Sequence, residues 1–169
     1  MPVLETPRLS LREFQFEDLD ALATILSDPE TMRYYSMSFD RAGVADWIQR
    51  NRTRYANDGY GLWAMIQKST RELIGDCGLV RQSVDGADEI EIGYHVRRDL
   101  WGQGFATEAA RACRDFGFAN LEAERLISLI RPENLASRRV AEKNGMTIWK
   151  ETTRANLLHY VYAIKRDQV

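Results

Sequence analysis

Cysteine and histidine are scarce here, with two of each in 169 residues. Cys77 and Cys113 stand far apart with no C-x-x-C between them, and His95 and His159 show no ligand spacing. Neither a disulfide framework nor a zinc site is expected, and no metal is assigned. No apolar run approaches the roughly 20 residues that cross a bilayer. The first residues lack the basic-then-apolar pattern of a secretory signal, so the expected compartment is the cytoplasm. An excess of one charge is missing too. A formal net charge of −2 makes no field for gathering nucleic acid, and no acidic run marks a site for a polycation. Repeats, low-complexity tracts and linkers are absent. What remains is an ordinary globular composition, 44% hydrophobic and 28% charged. The length fits one domain over residues 1–169 with a real core.

The most informative stretch runs from Glu89 to Thr107, EIEIGYHVRRDLWGQGFAT. Ile90, Ile92, Tyr94 and Val96 alternate with Glu89, Glu91, Gly93 and His95, the period of a half-buried strand. Two glycines follow within three residues, in Trp101-Gly102-Gln103-Gly104. They permit positive φ and leave no Cβ in the way of an incoming group. A helical stripe then begins, with Phe105, Ala109, Ala112, Cys113, Phe116 and Ala119 on one face. A strand feeding a glycine turn that opens a helix is a ready anion site, because first-turn N–H groups have no intrahelical partner and the helix dipole is positive there. A plain strand-to-helix turn without a ligand has the same local pattern. A dinucleotide fingerprint does not fit, since its third glycine is missing and the motif falls past mid-chain. A P-loop does not fit either, since no Lys-Ser/Thr pair follows.

Trp101-Gly102-Gln103-Gly104-Phe105-Ala106-Thr107-Glu108-Ala109 resembles the pyrophosphate-binding motif of the GNAT superfamily of acyl-CoA-dependent N-acetyltransferases. More narrowly, it resembles the RimJ/RimL-type branch, whose named members acetylate the N-termini of ribosomal proteins. In the pattern Gln/Arg-x-x-Gly-x-Gly/Ala, Gly104 and Ala106 fill the last two places, and Trp101 stands where this branch often carries an aromatic residue. Asn134 to Ser137 followed by Glu142 to Met146 is similar to the next block of the family, and Glu5 to Arg12 to its opening. The resemblance implies an α/β (α+β mixed) GNAT fold, a mixed seven-stranded sheet with helices on both faces. Two parallel strands, those holding Val96 and Ile130, would splay around the acyl-CoA site. It implies acetyl-CoA as acyl donor and a primary amine as acceptor, either a protein N-terminus or a small molecule. Nucleic acid and membrane are not implied as partners. Monomer and homodimer both stay open. An alternative is a catalytically silent acyl-CoA sensor, because Ala141 occupies the place where many GNAT enzymes carry a tyrosine acid.

Periodicity alone establishes only an α/β or α+β domain. It predicts a first strand over Arg8–Phe14, a helix over Phe16–Ser27 and a second helix from an Asp40 cap to Gly59. Strands follow over Gly61–Gln67 and Leu73–Gln82. Gly75 and Gly78 inside the latter predict a bulge or close backbone approach. After an Asp85-Gly86 turn come the motif strand and a helix from Phe105 to near Asn120. A strand over Arg125–Ile130, a helix capped by Asn134 and ended by Gly145, and strands over Met146–Thr152 and Leu157–Ile164 close the chain.

Amide formation from a thioester needs a neutral amine, a stabilised carbonyl oxygen and a departing sulfur. Roughly a third of a peptide α-amine is neutral at pH 7.5, against about 0.1% of a lysine; deprotonation costs a few tenths of a kcal/mol against about 4 kcal/mol. An N-terminal or weakly basic amine therefore needs only modest help. Granted the resemblance, Glu91 is the first candidate for that help and Glu89, sharing its parity, the second; both can equally be solvated strand carboxylates. His95 reads as a core or cofactor-adjacent residue. A backbone N–H near Tyr94, His95 and Val96 is the candidate for holding the carbonyl oxygen. Ser137 is the candidate hydroxyl for the sulfur. Asn134 is expected to cap with its backbone while its side-chain amide meets the pantetheine. The phosphates are expected on Gly102, Gln103, Gly104, Phe105, Ala106 and Thr107, beside Trp101. Arg97, Arg98, Arg138 and Arg139 are either phosphate contacts or solvated. Tyr34, Tyr35, Trp47, Tyr55, Tyr60 and Trp63 lie in the part of the family that builds the acceptor cleft.

Overall fold

The computed structural model describes residues 1–169. Strands β1 (Pro2–Glu5) and β2 (Leu9–Arg12) open the chain, followed by helices α1 (Leu19–Leu26) and α2 (Arg41–Asp58). Three strands come next, β3 (Leu62–Gln67), β4 (Leu73–Val84) and β5 (Ala87–Val96), then α3 (Phe105–Asn120), β6 (Arg125–Ile130) and α4 (Leu135–Lys143). Strands β7 (Thr147–Arg154) and β8 (Leu157–Lys165) close the chain. The sheet has eight strands in the order β1-β2-β3-β4-β5-β6-β8-β7. Its neighbours are antiparallel except β5 and β6.

The expected sheet of seven strands is one short. The addition is β1, paired along the edge with β2. Its four residues are largely exposed and begin at Pro2, so no alternation marks them. A proline at the first position of an edge strand breaks no ladder.

Both faces of the sheet are covered, which explains why β3 and β4 do not alternate polar with apolar. Trp63 and Met65 face a large core with Phe105, Ala109 and Cys113 of α3. Leu62 and Ala64 face a second core with Leu22 and Ile25 of α1 and Val44 and Ile48 of α2. Caps set the limits of α2 as expected. The Asp40 side chain accepts from the Gly43 amide at 2.8 Å, and Gly59 ends the helix at φ +79°. A Cβ on Gly75 would stand 2.0 Å from the His95 carbonyl oxygen, and one on Gly78 2.0 Å from that of Gly61. These two glycines let neighbouring backbone pass where any side chain would collide.

The feature that positions the site is the parting of β5 from β6. Their register is held at one pair, Glu91 with Ile127, and beyond it the strands diverge. Buried backbone polar groups left unpaired are costly, and side chains take several of them. The Ser128 hydroxyl donates to the Ile92 carbonyl at 2.9 Å. The Leu129 amide donates to the Glu91 carboxylate at 3.3 Å. The Tyr94 hydroxyl donates to the Ser137 carbonyl of α4 at 2.9 Å.

Candidate active site

The end of β5 passes through a short turn into α3. The Trp101 indole N–H donates to the Val96 carbonyl at 2.7 Å, which folds the turn back on the strand that made it. Gly102 and Gly104 both have positive φ, +76° and +83°, and Gly104 is the N-cap of α3. Glycine adopts this conformation without the steric cost a Cβ would bring. The first-turn amides of α3 thus border open space at the positive end of the helix dipole. That space is a cavity of about 490 Å³ lined by Val96, Gly102, Gly104, Ala106 and Thr107, with Arg139 and Lys143 adding positive charge and Arg33 paired with Glu30 on the same wall.

A second cavity, about 330 Å³, lies on the far side of the parted strands and holds Glu91. The two cavities share Tyr34, Tyr35, Tyr94, Asn134 and Ser137 in their walls. They meet in the gap between β5 and α4, so a molecule on the glycine turn and another beside Glu91 can touch there. Glu91 Oε2 accepts from the Gln82 side chain at 2.7 Å, and Oε1 from the Leu129 amide. Burial pushes its carboxyl above the ordinary glutamate range, against the pull of those two donors and of Arg154.

The match to known proteins follows this geometry. Residues 8–147 match the acetyltransferase (GNAT) domain family. The chain belongs to the GNAT acetyltransferase family. YkkB of Bacillus subtilis is 39% identical over 163 residues, covering 96% of this chain and 95% of that protein. A Bacillus licheniformis protein named N-acetyltransferase p20 is 34% identical over 89% of this chain and 84% of its own length. The crystal structure of an acetyltransferase from Agrobacterium tumefaciens superposes with a TM-score of 0.84 at 27% identity, covering 97% of this chain and 94% of that one. This acetyltransferase transfers an acetyl group from acetyl-CoA to an amine.

Of the residues singled out in the sequence, Tyr94, His95, Val96, Trp101, Gly102, Gly104, Phe105, Ala106, Thr107, Asn134 and Ser137 line the larger cavity of the acetyltransferase, and Glu91 the smaller. Gln103 lines neither; its carbonyl accepts from the Arg8 guanidinium at 2.9 Å. Phe105 turns its ring into the core, where it is 4% exposed. Glu89 does not share the setting of Glu91. It is bound by Arg125 at 2.9 Å, and Arg125 lies over the Trp149 ring. Two residues of strand displace it about 7 Å from Glu91, on the side where β5 and β6 have not yet parted. Asn134 caps α4 with its backbone, whose carbonyl accepts from the Arg138 amide at 3.1 Å, and also with its side chain, Oδ1 accepting from the Ser137 amide at 3.1 Å. Arg97 is held by Asp99 and Glu72, Arg98 faces Asp28, and Arg138 donates to the Tyr162 hydroxyl; none of them lines either of these two cavities. Arg139 does. Of the six aromatic residues, Tyr34 and Tyr35 line both cavities, Trp47 backs His95, and Tyr55, Tyr60 and Trp63 pack in the core.

Three features had no sequence signal. Asp76 on β4 is fully buried and sits 2.7 Å from His95 Nδ1, while the Trp47 indole N–H donates to its other oxygen at 3.0 Å. A carboxylate only accepts, so Nδ1 carries a proton. Nε2 is buried with no partner in the protein, and the Tyr35 ring lies 5.0 Å from the imidazole. Glu108 in the first turn of α3 binds the β1–β2 segment, accepting from Thr6 and Arg8. Arg131, Arg154 and His159 line the smaller cavity.

Proposed function

We propose that acetyl-CoA lies across the parted strands with its pyrophosphate on the amides of Gly102 to Thr107, and that a primary amine enters through the smaller cavity. The observation that carries this reading is the meeting of the two cavities at Tyr94 and Ser137, with the glycine turn on one side and Glu91 on the other. Glu91 takes the proton of the amine, directly or through a water. The amine nitrogen attacks the thioester carbonyl, and a backbone N–H on the unpaired edge of β5 between Tyr94 and Val96 holds the oxygen as it gains charge. The carbon–sulfur bond then breaks, the nitrogen gives up its remaining extra proton, and the Ser137 hydroxyl relays a proton to the leaving thiolate and ends as a hydroxyl again. A carboxyl raised by burial is a stronger base than an ordinary one, which suits an amine that is already partly neutral.

A second reading for the proton acceptor is His95, favoured by its unpartnered Nε2. It lines the larger cavity and not the smaller one, which sets it beside the thioester rather than the incoming amine.

The motif resemblance to the RimJ/RimL branch favours a protein N-terminal α-amine, with a small-molecule amine as the other acceptor class. Residues 1–169 form one working domain in this reading, with the cytoplasm as its proposed compartment. No helix is long and apolar enough to cross a membrane. The test is thiol release from acetyl-CoA against N-terminal peptides, lysine peptides, amino acids, polyamines and aminoglycosides, with coenzyme binding followed by calorimetry. Turnover on one acceptor class supports the reading. Absence of coenzyme binding overturns the assignment of the glycine turn.

A further inference from the structure

The smaller cavity is cationic in a way the reaction does not require. Two guanidinium groups line it, Arg131 from the end of β6 and Arg154 from the end of β7, against one carboxylate, Glu91. Neither arginine is neutralised inside the cavity. Arg154 has no carboxylate within ion-pair distance and donates to the neutral Gln82 side chain at 3.1 Å. Arg131 reaches only Glu133, at 3.4 Å on a residue that is 61% exposed, and its Nε is buried with no acceptor. Glu91 does not fill that role: its oxygens bond Gln82 and Leu129, and it makes no ion pair with either arginine. The coenzyme phosphates do not fill it either in the reading above. They belong to the glycine turn, beside a separate set of cations, Arg139 and Lys143.

A guanidinium that lines a cavity without a carboxylate partner inside it is a group that a ligand anion can satisfy. The planar donor fork of arginine matches a carboxylate in two parallel hydrogen bonds. We propose that the acceptor carries a carboxylate near its amine and that Arg131 and Arg154 hold that carboxylate while the amine faces Glu91. This rests on the smaller cavity being the acceptor site. The chemistry is shared by a free α-amino acid and by a peptide N-terminus followed by acidic side chains. A cavity of about 330 Å³ accommodates the former or the first residues of the latter. His159, on the same wall, is held below the ordinary histidine value by burial and by these two arginines, so it adds no charge at neutral pH. Polyamines and aminoglycosides meet like charge there.

The experiment compares matched acceptors at saturating acetyl-CoA. One pair is a free amino acid and its carboxamide; the other is a peptide with Asp-Glu at positions two and three and the same peptide with Asn-Gln. The acidic member is expected to show about ten- to a hundredfold higher kcat/KM, expressed in KM. Preference confined to the amino-acid pair names the small molecule, and preference confined to the peptide pair names the acidic N-terminus. Arg131→Gln is expected to bring the acid-to-amide ratio close to one. It is the cleaner variant, because Arg154 also acts on Glu91. Equal kcat/KM within both pairs, or a ratio that Arg131→Gln does not move, overturns the inference while leaving acetyl transfer in place. If nothing turns over, the transfer reading is what fails. Calorimetric titration of the coenzyme-saturated protein with each pair then decides the anion site alone, since equal affinities overturn it and tighter acid binding supports it.

Discussion

His95 and Asp76 face each other directly across β5 and β4, with Nδ1 and Oδ1 2.7 Å apart and both residues buried. The pair holds a proton on Nδ1 and leaves Nε2 buried with no partner in the protein. Asp76→Asn keeps the shape but offers an amide N–H to Nδ1, which moves the imidazole proton to Nε2. On the second reading, in which His95 takes the proton, kcat falls about a hundredfold in this variant and in His95→Gln, within the range for lost proton-handling groups. Two residues acting as a unit are not additive. The double variant should therefore be no slower than His95→Gln alone. Additive losses in steady-state kinetics would show that the buried pair serves packing only.

Glu91 should set the acid limb of the pH–rate profile. Its carboxyl lies above the ordinary glutamate range because burial disfavours the charged form. As pH falls through that raised value the base is protonated, so kcat/KM should fall at a higher pH than an exposed carboxylate would give. Glu91→Gln should remove the limb and lower kcat/KM about a hundredfold. The same shift has a consequence for stability. The folded state binds this proton more tightly than the unfolded chain does, so stability declines as pH rises from the ordinary value through the raised one. Chemical denaturation of the wild type should show that decline and the Gln variant should not. A profile unchanged by the substitution would remove Glu91 from the proton transfer.

Gly104→Val separates binding from folding. At φ +83° a branched residue is strained by about 1–3 kcal/mol, while the nearest atom to an added Cβ, Arg8 Nη2, is at an ordinary 3.4 Å. Gly59 has nearly the same φ, +79°, with nothing near its Cβ and no place in either cavity. Both valine variants should lose similar stability in a thermal melt, and only Gly104→Val should lose acetyl-CoA affinity by calorimetry. Intact affinity in the Gly104 variant would sink the phosphate-turn assignment.

Much of this molecule was readable because it is written locally. Asp40 and Gly59 bound one helix, Asn134 and Gly145 another, and the glycine turn announces itself between a period of two and a period near four. The parts that could not be read depend on register. Asp76 reaches His95 only because β4 and β5 pair so that these residues oppose. Arg33, Arg131, Arg154 and Lys143 come to the cavities from four different elements or loops, and no spacing within any one of them marks the meeting. Glu89 and Glu91 share parity on one strand, yet Arg125 on the neighbouring strand takes one and the splay frees the other. Strand β1 is too short and too exposed to carry a period at all.

Glu108 links the opening segment to the glycine turn, which accounts for two distant motifs belonging together. Its oxygens accept from the Thr6 hydroxyl at 2.6 Å, the Arg8 amide at 2.9 Å and the Arg8 guanidinium at 2.6 Å. Arg8 also donates to the Gln103 carbonyl and lies over the Phe105 ring, so the ion pair braces the glycine turn. Burial pushes the Glu108 carboxyl up, but the Thr6 and Arg8 donors more than offset this and leave it below the ordinary range. A depressed carboxyl contributes stability that is present above the ordinary glutamate value and disappears as pH falls through the lowered one. Arg8 is 45% exposed, so solvent screens the charge and the contribution is modest, about 1 kcal/mol. Glu108→Gln should lose that much near pH 7 in urea unfolding, and the difference from wild type should shrink toward zero in acid. The loosened turn should also raise KM for acetyl-CoA a few-fold while kcat changes little, because no group on the reacting atoms has been altered. A stability difference that does not vary with pH would show that Glu108 acts here through shape and not through its charge.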